Sequence, residues 1–165
     1  MKIESAIITG GAGFIGSHLI DKLLEQNVNK ILIIDDLSTG KKQNINQHSS
    51  NKNIEFVASR VEDIDKLENK IENFDVCFHL AAGVGVKYIM ENISQALLTN
   101  IEATHKMIGA CSKNGIPLLI TSTSEVYGVS EDKVWSEETR SLIGPPSKLR
   151  SVSYTNLTLP TILLV

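Results

Sequence analysis

Cysteine is nearly absent: only Cys77 and Cys111 occur. Neither belongs to a CxxC pair, and both have apolar neighbours, which reads as two buried thiols rather than a disulfide framework or a redox centre. The four histidines, His18, His48, His79 and His105, show no ligand spacing, so no metal is expected. No apolar run approaches the ~18 residues that a membrane helix needs. Glu4 interrupts the N-terminal apolar segment, which leaves no signal-peptide core. Cationic excess is missing too: 16 Lys and Arg stand against 19 Asp and Glu, a net charge of −3. Such a chain has no bulk electrostatic pull toward nucleic acid or an anionic membrane. A cytoplasmic, metal-free protein is expected, with neither a nucleic acid nor a membrane as partner. The last absence is local. Every charged side chain lies at or before Arg150, and Ser151–Val165 has none.

What remains is ordinary. The chain has 165 residues, 42% hydrophobic and 21% charged, a one-domain length with a soluble composition. Short apolar runs at residues 3–9, 30–34, 53–58, 75–80 and 116–121 read as buried strands. Between them lie helical patterns. Residues 14–26 carry Ile15, Leu19, Leu23 and Leu24, and residues 63–73 carry Ile64, Leu67 and Ile71. A long helix begins at Ile93, carries Leu97, Ile101, Ile108 and Cys111, and is ended by Gly115. Strict alternation of strand and helix predicts an α/β fold, a doubly wound parallel sheet with helices on both faces.

The strongest motif is Thr9-Gly10-Gly11-Ala12-Gly13-Phe14-Ile15-Gly16, between the first strand and the first helix. Glycines there permit a tight turn with positive φ. Gly13 leaves room for a pyrophosphate, and Gly16 lets the helix pack closely. The helix N-terminus adds free N–H groups and partial positive charge. Asp35 follows Gly16 at the end of the second strand. Its carboxylate is placed to accept from both ribose hydroxyls of an adenosine and to repel a 2′-phosphate, so NAD is favoured. Lys41 and Lys42 lie close by and leave NADP open.

These residues resemble the extended short-chain dehydrogenase/reductase family, the NAD-dependent nucleotide-sugar epimerases, dehydratases and decarboxylases. Asp35-Asp36-Leu37-Ser38-Thr39-Gly40 resembles the family's loop after its second strand, and His79-Leu80-Ala81-Ala82 its fourth-strand motif along the cofactor. Ser122-Thr123-Ser124-Glu125-Val126-Tyr127-Gly128 resembles its fifth-strand active-site motif. The resemblance spans residues 1 to about 150 and implies a Rossmann fold. It implies an NAD site made of Gly10, Gly13, Phe14, Ile15, Gly16, Asp35, Val61, Leu80, Ala81 and Ala82. Thr123 would bond the sugar hydroxyl, with Ser124 and Glu125 beside it, and Lys87 would offset the substrate's diphosphate. The string Thr123-Ser124-Glu125 looks closest to UDP-glucuronate decarboxylases, which points to a UDP-sugar. In such enzymes NAD takes a hydride from a sugar carbon and usually returns it. The resemblance also implies a homodimer for the complete enzyme.

Two departures stand out. Arg60 occupies the position where the family usually has an aspartate near the adenine, and a guanidinium cannot accept from an amino group. Backbone contacts from Val61 and a weakened adenine site are expected. Further on, the run-up Gly144–Arg150 resembles that of the family's tyrosine base with lysine four residues later. That lysine lowers the phenol's pKa. Here Tyr154 is followed by Thr158, and no Lys or Arg comes after Arg150. The expectation is an N-terminal fragment, truncated after about the fifth strand: residues 1–150 form the NAD-binding domain, and 151–165 are an aberrant tail. A non-catalytic NAD-binding module is the alternative.

Overall fold

The computed structural model describes residues 2–82, 94 and 98–122. The description concerns the first compact unit, Met1–Ile120; the expected break at Arg150 lies outside the described residues. Five parallel strands, β1 (Ser5–Thr9), β2 (Lys30–Ile34), β3 (Ile54–Val57), β4 (Val76–His79) and β5 (Leu118–Ile120), are ordered β3-β2-β1-β4-β5. This is the doubly wound arrangement expected from the alternating pattern, with the order reversing at β1.

β1 is buried along its whole length, and β2 from Ile31 onward. Successive side chains feed opposite faces. Ile7, Leu32 and Ile34 join one apolar cluster, while Ala6, Ile8, Ile31 and Ile33 join the other. That is why these strands read as continuous apolar runs. The second cluster is covered by α1 (Phe14–Glu25) through Ile20 and Leu23, and by Ile45 of a 3-10 segment, Lys42–His48. The first is covered by α2 (Leu67–Lys70) and α3 (Thr104–Asn114). Cys77 and Cys111 are both buried in it; the hydrogen bond with Cys111, together with burial, pushes the Cys77 thiol well up. At the opposite edge, Asp75 accepts from the N–H groups of Glu4 and Ser5, both at 2.8 Å, and fixes the start of β1 against β4. Those bonds hold the Asp75 carboxyl below its usual range.

Three expectations are corrected. The helix over 63–73 shrinks to the single turn Leu67–Lys70, because Lys66 adopts a left-handed φ of 48° and ends the preceding turns. Its apolar spacing still marks the buried face, since Ile64, Leu67 and Ile71 all reach the core. In α1 the apolar face is also displaced: Ile15 is exposed, and Ile20 is buried instead. In the long helix, Ile93 and Leu97 lie outside the described residues, and Ile101 and Ile108 are only half-buried. Ala103, Met107, Ala110 and Cys111 form the core face. A π turn at Thr99–Ala103 precedes α3; its extra residue rotates the helix and displaces the phase read from Ile101. Gly115 ends α3 in a left-handed conformation, φ 64°, as expected.

The shifted phase has a measurable consequence. Met107 is fully buried, so Met107→Ala is expected to cost about 2–5 kcal/mol. Ile108→Ala is expected to cost less than half as much. Urea unfolding of the two variants checks this, and equal losses would contradict the π-turn register.

Candidate dinucleotide-binding site

The carboxyl ends of β3, β2, β1 and β4 stand side by side, and the segments leaving them form the site. Gly10 leaves β1 with φ +70° and donates its N–H to the Ile34 carbonyl at 2.8 Å. A Cβ on Gly10 would lie 2.8 Å from the Ala81 nitrogen and 2.9 Å from the Leu80 carbonyl carbon. Only glycine fits this turn, on both conformational and steric grounds. Leu80 and Ala81, singled out in sequence, are thereby brought against the glycine loop. Ala82 follows them, half-buried. Positive φ, expected for the loop generally, is confined here to Gly10.

Gly16 works by close approach. Its Cβ would collide with the Gly10 carbonyl oxygen and lie 2.6 Å from the Gly11 Cα. The tight contact is therefore between helix and loop, rather than between helix and strand. Among the described residues, a Cβ on Gly13 would meet only the Gly10 oxygen, at 3.1 Å, so they leave its other side open. Gly13 caps α1 without any side-chain hydrogen bond, and the first turn has no acidic residue. The first intrahelical bond runs from Ser17 N–H to the Gly13 carbonyl at 3.1 Å. The N–H groups of Phe14, Ile15 and Gly16 therefore have no intrahelical acceptor. Phe14 and Ile15 are 79% and 65% exposed there, two large apolar side chains at the loop's mouth.

Asp35 is buried at the end of β2. One oxygen accepts from Ala12 N–H at 2.9 Å and the other from Leu37 N–H at 2.8 Å. A Cβ on Gly40 would lie 2.9–3.0 Å from both oxygens. The Ala12 carbonyl in turn accepts from Lys41 N–H (3.0 Å) and from the Asn44 amide (2.8 Å). Asp35 thus ties the glycine loop to the segment after β2, a structural duty that spacing alone did not reveal. The signals were the Asp35-x-Leu37 turn and Asn44. Each carboxylate oxygen retains acceptor capacity beyond these bonds.

Under the site runs a buried polar line. The Thr9 hydroxyl accepts from Ala81 N–H at 3.1 Å and is hydrogen-bonded to His79 Nδ1 at 2.7 Å. His79 Nε2 is hydrogen-bonded to the Thr104 hydroxyl at 3.1 Å. Burial lowers the His79 pKa to about 4, so the ring is neutral. His79 is a packed strand histidine, as its position suggests. Beyond β3, the Val61 side chain is core, so any ligand contact there runs through its backbone. Arg60 Nε lies 3.3 Å from Asp36 Oδ2. Burial opposes ionisation of Asp36, but hydrogen bonds from Ser38 and the Arg60 guanidinium outweigh it and hold its carboxyl below the usual range. Thr123, Ser124, Glu125 and Lys87 lie outside the described residues.

A glycine turn, an uncapped helix N-terminus and a strand-end carboxylate thus meet at the sheet's reversal point. Residues 7–147 match the family model described as GDP-mannose 4,6 dehydratase. The chain belongs to this family. It is 35% identical over 127 residues to UDP-glucuronic acid decarboxylase 4 of Arabidopsis thaliana, covering 77% of this chain and 27% of that protein. It is 35% identical over 147 residues to UDP-N-acetyl-alpha-D-glucosaminuronate decarboxylase of Bacillus cytotoxicus, covering 89% of this chain and 44% of that protein. The fold matches UDP-N-acetylglucosamine 4-epimerase from Methanobrevibacter ruminantium with TM-score 0.80 and 32% identity, over 94% of this chain and 48% of the other. It also matches an NAD-bound dTDP-glucose 4,6-dehydratase from Streptomyces venezuelae, with TM-score 0.76 and 26% identity, over 84% and 45%. The chain therefore spans less than half the length of these relatives. Among the described residues, no helix is long and apolar enough to cross a membrane.

The neutral His79 predicts an acid weakness. The unfolded imidazole binds a proton near pH 6.5 and the folded one only near 4. Stability is therefore full above pH 6.5 and declines as pH falls toward 4, by about 3 kcal/mol in all. Unfolding titrations at pH 7, 5.5 and 4.5 should show this slope, and His79→Gln should flatten it. An unchanged slope in the variant would place the effect elsewhere.

Proposed function

We propose that this chain is the N-terminal, NAD-holding part of a nucleotide-sugar epimerase, dehydratase or decarboxylase that withdraws a hydride from a sugar carbon and returns it. The observation that carries this reading is the loop from Gly10 to Gly16. It combines an open face at Gly13 with three N–H groups that lack intrahelical acceptors. These groups bind and orient a pyrophosphate. Asp35 accepts from the adenosine ribose and disfavours a 2′-phosphate. Leu80, Ala81 and Ala82 back the cofactor along β4, and the Val61 backbone borders the adenine. NAD, when bound, supplies the hydride acceptor, and the protein supplies orientation and acid–base groups. Thr123, Ser124 and Glu125 carry the sugar-facing chemistry, and Lys87 offsets the diphosphate. The names of the relatives favour a UDP-sugar and, with the Thr123-Ser124-Glu125 string, decarboxylation. A cytoplasmic site of action and a homodimeric whole enzyme complete the reading.

A second reading is favoured by one sequence fact. Thr158 stands where a lysine would activate Tyr154, so the 165-residue chain binds NAD without turning over a sugar. Calorimetric titration is expected to show weak but saturable NAD binding, and no binding at millimolar NAD would overturn both readings. Gly13→Ala, whose Cβ would press on the Gly10 oxygen at 3.1 Å, is expected to weaken NAD at least about tenfold, equivalent to ~1.4 kcal/mol. With UDP-glucuronate neither CO2 nor NADH should form, and the appearance of either would refute the second reading.

A further inference from the structure

Ala12 stands in the middle of the glycine loop and is fully buried. Its N–H donates to Asp35 at 2.9 Å. Its carbonyl accepts twice, from Lys41 N–H at 3.0 Å and from the Asn44 side-chain amide at 2.8 Å, which uses both lone pairs. The same peptide plane carries the Gly13 N–H, which donates to the Gly10 carbonyl at 3.1 Å. A trans peptide points these two groups to opposite sides, so bonds at both ends fix the plane. In the next plane the Gly13 carbonyl accepts from Ser17 N–H at 3.1 Å. The Phe14 N–H on the other side of that plane is the first of the three that lack intrahelical acceptors. The aim of these groups is thus set by two planes, one held by α1 and the other by Lys41 and Asn44. Asn44 is itself anchored. Its N–H donates to the Lys41 carbonyl at 2.9 Å, and the next residue, Ile45, is buried in the cluster that α1 covers. Without the Asn44 donor, the Ala12 carbonyl is held by Lys41 N–H alone. Gly13 offers little torsional resistance to a tilt of that plane, and a tilt re-aims the Phe14 N–H.

We propose that Asn44 is a positioning residue for the pyrophosphate: it holds the Ala12–Gly13 peptide so that the N–H groups of Phe14, Ile15 and Gly16 converge on one anion. This step rests on the proposed dinucleotide site. Asn44 acts through the Ala12 carbonyl. Donors that are fixed before the ligand arrives lose less order when it binds. Asp35 holds the N–H of the same residue, but it also stands where the ribose is read, so replacing it mixes two duties. Replacing Asn44 touches only one of them. The loss is therefore selective: the diphosphate contact weakens, and the nucleoside contact does not.

The test is NMR titration of the whole chain with ADP and with adenosine, which share the nucleoside and differ in the diphosphate. Asn44→Ala is expected to weaken ADP about fivefold, the scale of one net hydrogen bond, and adenosine less than about twofold. The shifts that ADP induces in the Phe14, Ile15 and Gly16 amide signals should shrink in the variant. Equal weakening of both ligands would overturn the proposal, as would an unchanged ADP affinity in the folded variant. If Asn44→Ala fails to fold, Asn44→Leu, which fills the space without a donor or a charge, decides the same comparison. Failure of both to fold would also overturn it, because Asn44 would then serve the scaffold rather than the loop. A wild type that binds neither ADP nor NAD would instead remove the dinucleotide reading itself, and Asn44's role with it.

Discussion

The site depends on one steric constraint. At the end of β1 the backbone passes between β2 and β4 so closely that position 10 has no room for a side chain. The Ile34 carbonyl holds Gly10 from one side, and Leu80 and Ala81 press on it from the other. Gly16 repeats the constraint on the helix side, where α1 rests on the Gly10–Gly11 turn. Because both ends of the loop are fixed by contact, the N–H groups at the start of α1 are placed before any ligand arrives. That preorganisation reduces the ordering cost of binding a pyrophosphate.

The buried polar groups around this constraint are few, and each has a task. Thr9, His79 and Thr104 join β1, β4 and α3 by hydrogen bonds that burial makes expensive to lose. The neutrality of the imidazole is a consequence of the burial that the line requires. Asp35 performs the matching task on the other side. Its carboxylate closes Ala12 and Leu37, and Lys41 and Asn44 return to the same Ala12. The glycine loop is therefore held from β4 by the Thr9–His79 hydrogen bond and from β2 by the Asp35 carboxylate.

Much of this was legible in the residues, and the misses have physical causes. β1 and β2 were readable because both sheet faces are buried there, which makes them nearly unbroken apolar runs; β3, interrupted by the exposed Glu55, gives a weaker signal. The glycine loop was readable because a turn this tight admits few residue types. The helix over 63–73 was overread because spacing reports which face is buried. It does not report whether the backbone between those positions stays helical, and Lys66 breaks it. The register of α3 was misread because a π turn shifts phase without changing composition. The structural duty of Asp35 was hidden because a carboxylate placed for a ribose and one that accepts from backbone N–H groups are the same residue in sequence.

That double duty links recognition to order. A ribose that bonds Asp35 approaches a carboxylate already committed to Ala12 and Leu37, and beneath a Gly40 with no room for a side chain. The segment from Asp36 to Asn44 must therefore keep its place for the ribose to find both oxygens correctly aimed. Arg60 reaches Asp36 from the segment after β3 and holds the start of the Asp36–Asn44 segment by charge. Changing it would alter how firmly the loop presents Asp35.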